Sequence, residues 1–136
     1  SLFMFFYKGK KVSFITDAGY ACANVIDAVR DANILFLESN YDEIMLRDGD
    51  YPWFLKERIA GDSGHLSNKN AASLIYDYGT SKLSHVFLSH LSENNNHPDL
   101  AMQTFRSVLQ PRTDLNHIQP LLTSRYEVSP IVKLEI

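Results

Sequence analysis

The chain has little of several things that would assign a protein to a class at once. It has one cysteine, Cys22, in 136 residues, so no disulfide can form within it. Its 13 Lys and Arg are outnumbered by 16 Asp and Glu, which gives a net charge of −3 and no overall positive field for nucleic acid. The longest apolar run, residues 2–7, is far shorter than the roughly 20 residues that cross a bilayer.

These absences exclude a disulfide-stapled secreted scaffold and a membrane-spanning protein. Nothing at the start of the sequence resembles a signal peptide, so we expect a reducing compartment, the cytoplasm. With 45% apolar and 21% charged residues, the composition is that of one globular domain. We find no repeat and no low-complexity tract.

The opening apolar run predicts a strand that is buried on both faces and is followed by a turn at Gly9. A domain seldom starts inside a core strand. We therefore expect the polypeptide to extend upstream and residues 1–136 to be the C-terminal portion of a larger domain.

Hydrophobic periodicity predicts alternating strands and helices, which is an α/β layered architecture with the sheet flanked by helices. A helix opening at Pro52 should be anchored by Trp53, Phe54, Leu55 and Ile59. The predicted strands are 2–7, 12–16, 33–38, 83–88, 118–123 and 131–136, and the predicted helices are 21–30, 42–47, a helix from 52, 67–79 and 98–110.

Polar residues that could carry chemistry follow three of these strands. Asp17 comes after the second strand, Glu38 ends the third, and His90 follows the strand 83–88. A glycine-rich loop, 61–67, adds His65 just before a helix. Loops beyond the carboxyl ends of strands share one crevice in α/β sheets, so metal ligation is open to these groups. Each carboxylate could instead cap a helix, and each histidine could instead have a purely structural role.

Glu38 ends a strand whose other residues are apolar, so its carboxylate needs a cationic or imidazole partner. The other histidines, His85, His97 and His117, are expected to pack or to lie at the surface.

Taken in order, four segments resemble the C-terminal half of the metallo-β-lactamase superfamily. They are Thr-Asp-Ala-Gly at 16–19, Phe-Leu-Glu-Ser-Asn-Tyr-Asp at 36–42, Gly-Asp-Ser-Gly-His-Leu-Ser-Asn at 61–68, and Leu-Ser-His-Leu-Ser-Glu-Asn-Asn at 88–95. The likeness is greatest to the WalJ/YycJ-like bacterial nucleases and more distant to tRNA 3′-processing endonucleases of the RNase Z type. It implies a fold that is half of an αββα sandwich.

The resemblance also implies roles for individual residues. Asp17 would bridge two divalent metal ions, zinc or manganese, and His90 would be the last histidine ligand of one of them. Glu38 would orient His65, which would donate a proton or hydrogen bond at the scissile phosphate. Ser92 and Asn94 would lie where a loop approaches the substrate.

The superfamily's His-x-His-x-Asp-His motif, which supplies most metal ligands, does not occur in this sequence. Asp17 and His90 alone cannot hold two ions, so we expect the isolated chain to be inactive. The full-length protein is expected to hydrolyse phosphodiesters of DNA or RNA, with nucleic acid as its partner. Two alternatives stay open: a metallo-hydrolase of small thioester or lactam-like substrates, and a non-catalytic α/β interaction domain in which these side chains lie far apart.

Overall fold

A computed structural model describes residues 1–135. Within that range the chain forms five strands, five α-helices and one short 3-10 helix. The strands are β1 Leu2–Tyr7, β2 Lys10–Ile15, β3 Ile34–Glu38, β4 His85–Ser89 and β5 Gln119–Leu122. The helices are α1 Ala23–Val29, α2 Glu43–Asp48, α3 Trp53–Ala60, α4 Asn68–Tyr78 and α5 Pro98–Leu109, and the 3-10 helix is Thr113–Leu115.

The strands form one mixed sheet in the order β1-β2-β3-β4-β5. β1 and β2 are an antiparallel hairpin, and β2, β3, β4 and β5 run parallel. Helix α4 packs between α1 and α5 and contacts both. Helix α1 also contacts β2, and α5 contacts β5. The α/β fold with a mixed sheet and flanking helices is thus confirmed.

The two faces of the sheet differ in burial. Leu35 and Leu37 are fully buried among helix residues such as Val29 and Ile75. On the opposite face, Phe14, Phe36 and Phe87 are stacked across three neighbouring strands, with ring centroids 4.4 and 4.3 Å apart. Phe14 and Phe36 are partly exposed, so this second face is only partly covered by residues 1–135.

Local sequence signals account for where several helices begin. The Asp42 side chain accepts hydrogen bonds from the backbone N–H groups of Ile44 and Met45, and Ser67 accepts one from Asn70. These are N-caps of the ordinary kind, so Asp42 has the capping role. His97, which is exposed as expected, accepts the N–H of Asp99 at the start of α5.

The prediction that the first strand is buried on both faces is wrong. Within residues 1–135, β1 pairs with β2 alone and forms one edge of the sheet. The side chains of Phe3, Phe5, Phe6 and Tyr7, on its two faces, are 59–70% exposed. The hairpin itself is confirmed, and its turn places Lys8 and Gly9 at φ of 46° and 77°, which is the left-handed region that glycine favours.

Two further expectations differ from the structure. Trp53 and Phe54 do not anchor α3, because they are 65% and 70% exposed. Residues 131–135 form no strand within the described range, and Ile136, the end of that predicted strand, lies outside it. No helix in residues 1–135 is both long enough and apolar enough to cross a membrane.

Candidate metal centre

The parallel strands bring three of the predicted site residues to one edge of the sheet. Asp17 lies just beyond β2, Glu38 is the last residue of β3, and His90 follows the end of β4. These strands are neighbours, and Glu38 is paired with Ser89 in the ladder. Their carboxyl ends therefore meet, as expected for an α/β sheet.

His65 reaches this edge on the loop between α3 and α4, and two glycines allow the loop to come close. A Cβ on Gly19 would lie 2.3 Å from the carbonyl oxygens of Gly61 and Asp62. A Cβ on Gly64 would lie 2.1 Å from the carbonyl oxygen of Ile59. Contacts this short cannot exist, so the missing side chain at Gly19 lets the segment after Asp17 pack against the loop, and the missing side chain at Gly64 lets the loop fold back against the end of α3.

Four side chains converge at this edge. His65 Nδ1 lies 2.5 Å from Glu38 Oε1, and His90 Nδ1 lies 2.7 Å from the same oxygen. Asp17 Oδ1 lies 3.5 Å from His65 Nδ1 and 3.8 Å from His90 Nδ1. One donor atom from each of the four lies within 4.8 Å of the others, an arrangement that could hold a metal ion.

Glu38 contacts both histidines from a fully buried position. An ionised carboxylate only accepts hydrogen bonds, so each ring donates its Nδ1 proton to Glu38 and leaves its Nε2 for another partner. This is the usual arrangement in which a carboxylate orients metal-binding or catalytic imidazoles. The sequence argument that Glu38 needs a cationic or imidazole partner is confirmed, and the structure supplies two imidazoles.

The second carboxylate oxygen of Glu38 tests whether a cation fits here. Oε2 is buried and has no hydrogen-bond partner among the described residues. Leaving such an atom unpaired is costly, and a divalent cation or a water molecule bound to one would satisfy it. The mixture of carboxylate and imidazole donors suits zinc or manganese equally. The residues present therefore fit a metal ion.

The backbone at two of these residues is strained. Asp17 and His90 have φ values of 54° and 56°, although neither is glycine. Such conformations are unusual outside glycine, and they persist where the surrounding structure holds them, often at functional sites. At His90 part of that support is visible, because Asn40 Nδ2 donates to its carbonyl oxygen at 2.8 Å.

A network of buried amides holds the loops behind the four side chains. Asn96 Nδ2 donates to the carbonyl oxygens of Ser39 and Asn40 at 2.9 and 3.1 Å, and Asn68 Nδ2 donates to Asn96 Oδ1 at 2.9 Å. Ser39 Oγ donates to Asn68 Oδ1 at 2.6 Å. This network joins the segments that carry Glu38, His65 and His90.

Sequence reasoning did not find this network. The only signal in the sequence was the concentration of Asn and Ser after two of the strands, at 39–40 and at 89–96. The second of these segments was predicted only to be an irregular loop.

Ser92 and Asn94 lie beside the four side chains and not among them. Both line a crevice of about 290 Å³ together with His65 and Tyr51, and Asn94 Nδ2 donates to the Tyr51 hydroxyl at 3.0 Å. Ser92 Oγ accepts the N–H of Asn95 at 3.1 Å, which shapes the loop. Their predicted contact with substrate stays a prediction.

His65 also lines a second crevice, of about 420 Å³. Asp17, Arg58 and Ser63 are among its lining residues. His65 thus lines both crevices, the one with Asn94 and the one with Arg58, and Asp17 lines the second.

The phenol of Tyr41 is affected by its burial and by the carboxylates of Glu43 and Glu38. Burial raises the pKa of Tyr41 above its ordinary value of 10.0, and the charges of Glu43 and Glu38 raise it further. Tyr41 is 4% exposed, and its carbonyl oxygen accepts the N–H of Asn68 in the amide network region. It therefore stays protonated in the folded protein at neutral pH.

The fold and these four side chains define an α/β protein with a candidate metal centre at the carboxyl ends of its parallel strands. Its sequence is 38% identical to the exodeoxyribonuclease YycJ of Bacillus anthracis over 110 residues, which are 81% of this chain and 42% of that protein. It is 35% identical to the exodeoxyribonuclease WalJ of Streptococcus pneumoniae over 102 residues, which are 75% of this chain and 38% of that protein. The chain is therefore homologous to the YycJ/WalJ family, and it spans about two-fifths of the length of these curated relatives.

The chain is also similar to a solved structure described as a new diphosphatase from the PhnP family, with a TM-score of 0.44 and 18% identity. The matched region is 92% of this chain and 35% of the chain in that structure. No protein-family model matches the sequence. The resemblance to the WalJ/YycJ-like group, made from four short segments, is confirmed by the two sequence relatives.

Proposed function

We propose that this chain is part of a metal-dependent hydrolase that cleaves phosphodiester bonds of DNA. The observation that carries the proposal is the convergence of Asp17, Glu38, His65 and His90 within 4.8 Å, with an unpartnered buried oxygen on Glu38. The names of the YycJ and WalJ relatives supply the substrate class. The scattered arrangement that a non-catalytic interaction domain requires is absent for these four residues.

In this proposal Asp17 and His90 hold the metal. Divalent cations in such a site polarise phosphoryl oxygens and lower the pKa of bound water, which is the chemistry that the metal supplies. Asp17 is half-exposed and lines the second crevice, and the Nε2 of His90 is free because its Nδ1 donates to Glu38. We assign two ions, zinc or manganese, to the complete protein.

His65 and Glu38 act on the phosphate. Glu38 fixes the ring of His65 through the hydrogen bond of 2.5 Å between its Oε1 and the Nδ1 of the ring. When Nε2 also carries a proton, His65 can donate that proton, or a hydrogen bond from it, at the scissile phosphate or at the leaving oxygen. Ser92 and Asn94, in the crevice beside His65, contact the substrate.

We further propose that residues 1–136 are the C-terminal portion of a metallo-β-lactamase-like domain. The partly exposed aromatic face of the sheet, with Phe14 and Phe36 stacked at 4.4 Å, is suited to packing against a second sheet. The four donor groups on this chain do not suffice for two ions, so further ligands belong to another segment. The chain alone is accordingly expected to be inactive.

The test is cleavage of a labelled deoxyoligonucleotide by the full-length protein with added Zn²⁺ or Mn²⁺ and with a chelator. We expect hydrolysis that needs the metal and falls by at least about a hundredfold in Asp17→Ala and His90→Ala. A matched change at an exposed acid, Asp99→Ala on α5, should leave the rate unchanged. Equal rates in all four proteins would reject the proposal, and oligoribonucleotide, thioester and lactam substrates in parallel would show whether DNA is preferred.

A further inference from the structure

Helix α3 presents an aromatic surface that the fold does not use. Trp53 and Phe54 are 65% and 70% exposed, and among the described residues α3 has no buried member. An exposed large aromatic pair at the start of a helix contributes little to the core. Such a surface more often binds a partner.

The same helix carries a cation to the candidate metal centre. Arg58 lines the 420 Å³ crevice together with Asp17 and His65. Arg47, Arg112 and Arg125 form ion pairs with acids, whereas Arg58 has no ion-pair partner within residues 1–135. An exposed guanidinium that is not neutralised by a carboxylate can pair with a phosphate.

Phe54 and Arg58 lie on one face of α3. They are four residues apart, so their side chains are neighbours on the helix surface. Leu55 and Ile59, on the adjoining side of the helix, line the crevice beside Arg58. An aromatic ring, a guanidinium and the metal centre therefore follow one another along this surface.

We propose that Phe54 and Arg58 bind the nucleotide that flanks the scissile phosphate, an inference that rests on the proposed function. Arg58 pairs with the flanking phosphate, and Phe54 stacks on an unpaired base attached to it. Base–aromatic stacking and cationic contact to the backbone are the two features by which proteins bind single strands without reading sequence. The strand would approach His65 from the Arg58 crevice.

The unpaired guanidinium of Arg58 favours a nucleic acid over a second protein as the occupant. Asp17 and Glu38 place two carboxylates at the candidate centre, and the chain has a net charge of −3, so an approaching polyanion is repelled unless a cation lies on its path. Arg58 is such a cation at the crevice itself. A protein partner would need no unpaired guanidinium next to the catalytic groups.

The experiment measures binding separately from catalysis. The full-length protein is titrated in a chelator with a fluorescent single-stranded deoxyoligonucleotide at several salt concentrations, and anisotropy gives the affinity. The variants are Arg58→Gln, Phe54→Leu and Phe54→Trp, with Arg106→Gln as the matched loss of an exposed helical arginine on α5.

We expect Arg58→Gln to weaken binding about tenfold and to reduce the slope of log affinity against log salt by about 0.7, the value for one phosphate contact on a single strand. Phe54→Leu should weaken binding by roughly 5- to 100-fold, because leucine keeps the apolar area and loses the stacking ring. Phe54→Trp keeps a stacking ring and should bind as the wild type does. Arg106→Gln should keep both the affinity and the slope.

The inference is overturned if Arg58→Gln behaves as Arg106→Gln does, or if Phe54→Leu binds DNA as the wild type does. It is also overturned if Phe54→Leu changes the oligomeric state of the protein and leaves DNA binding unchanged, since α3 would then be a protein interface. These results differ from failure of the proposed function, which would appear as a wild-type protein without metal-dependent cleavage.

Discussion

Replacement of Glu38 by glutamine tests the geometry of the candidate centre most directly. The substitution keeps the shape of the side chain and removes its charge. Oε1 of Glu38 accepts from His65 at 2.5 Å and from His90 at 2.7 Å, at a position with no exposed surface. Both hydrogen bonds change from charge-assisted to neutral.

The size of the effect follows from these two bonds. A charge-assisted hydrogen bond contributes about 1 kcal/mol more than a neutral one, so two bonds amount to about 2 kcal/mol. This corresponds to roughly 30-fold, within the 10- to 100-fold loss typical of residues that orient metal ligands. The unfolding free energy of the metal-free protein should also fall by about 2 kcal/mol, because both hydrogen bonds are made only in the folded state.

The assay is calorimetric titration of the full-length protein with Zn²⁺ or Mn²⁺, together with urea unfolding of the metal-free protein. Glu57→Gln is the matched control, because Glu57 lies exposed on α3 and undergoes the same chemical change. We expect weaker metal binding and lower stability in Glu38→Gln alone. If the two variants have the same metal affinity and the same unfolding free energy, Glu38 does not orient the histidines and the reasoning is refuted.

Two other changes test the loops and the buried phenol. Gly19→Ala places a Cβ 2.3 Å from two carbonyl oxygens, so the unfolding free energy measured in urea should fall by about 1–3 kcal/mol, and the metal affinity should fall with it. In the control Gly61→Ala the nearest contact of the new Cβ is 3.1 Å, so the loss of stability should be smaller. Equal losses in the two variants would count against the close approach at Gly19. Burial raises the pKa of Tyr41, so the unfolded chain ionises first above its ordinary value of 10.0 and stability falls as pH rises further. Tyr41→Phe should lose less stability between about pH 8 and about pH 11, and identical losses in urea titrations would contradict this.

The placement of the candidate residues could be read from the amino-acid order. Apolar strands alternate with amphipathic helices, and that pattern favours parallel strands whose carboxyl ends share an edge. Asp17, Glu38 and His90 each come just after or at the end of such a strand, so their proximity was predictable. The need of Glu38 for a cationic or imidazole partner was predictable from the cost of an unpaired charge.

Other features were decided by the tertiary structure alone. An apolar run such as 2–7 has the same composition in a central strand and in an edge strand, and its exposure depends on which strands lie beside it. Trp53 and Phe54 fit the periodicity of a helix, yet periodicity does not tell whether another element covers that face.

The sequence by itself determined the α/β class, the order of the elements and three of the strand-end residues, because hydrophobic period and turn signals are local. Only the tertiary structure decided that one oxygen of Glu38 serves both His65 and His90, and that buried amides around Asn96 hold their loops. Those contacts join segments 25 or more residues apart, whose distances depend on packing of the whole sheet and its helices.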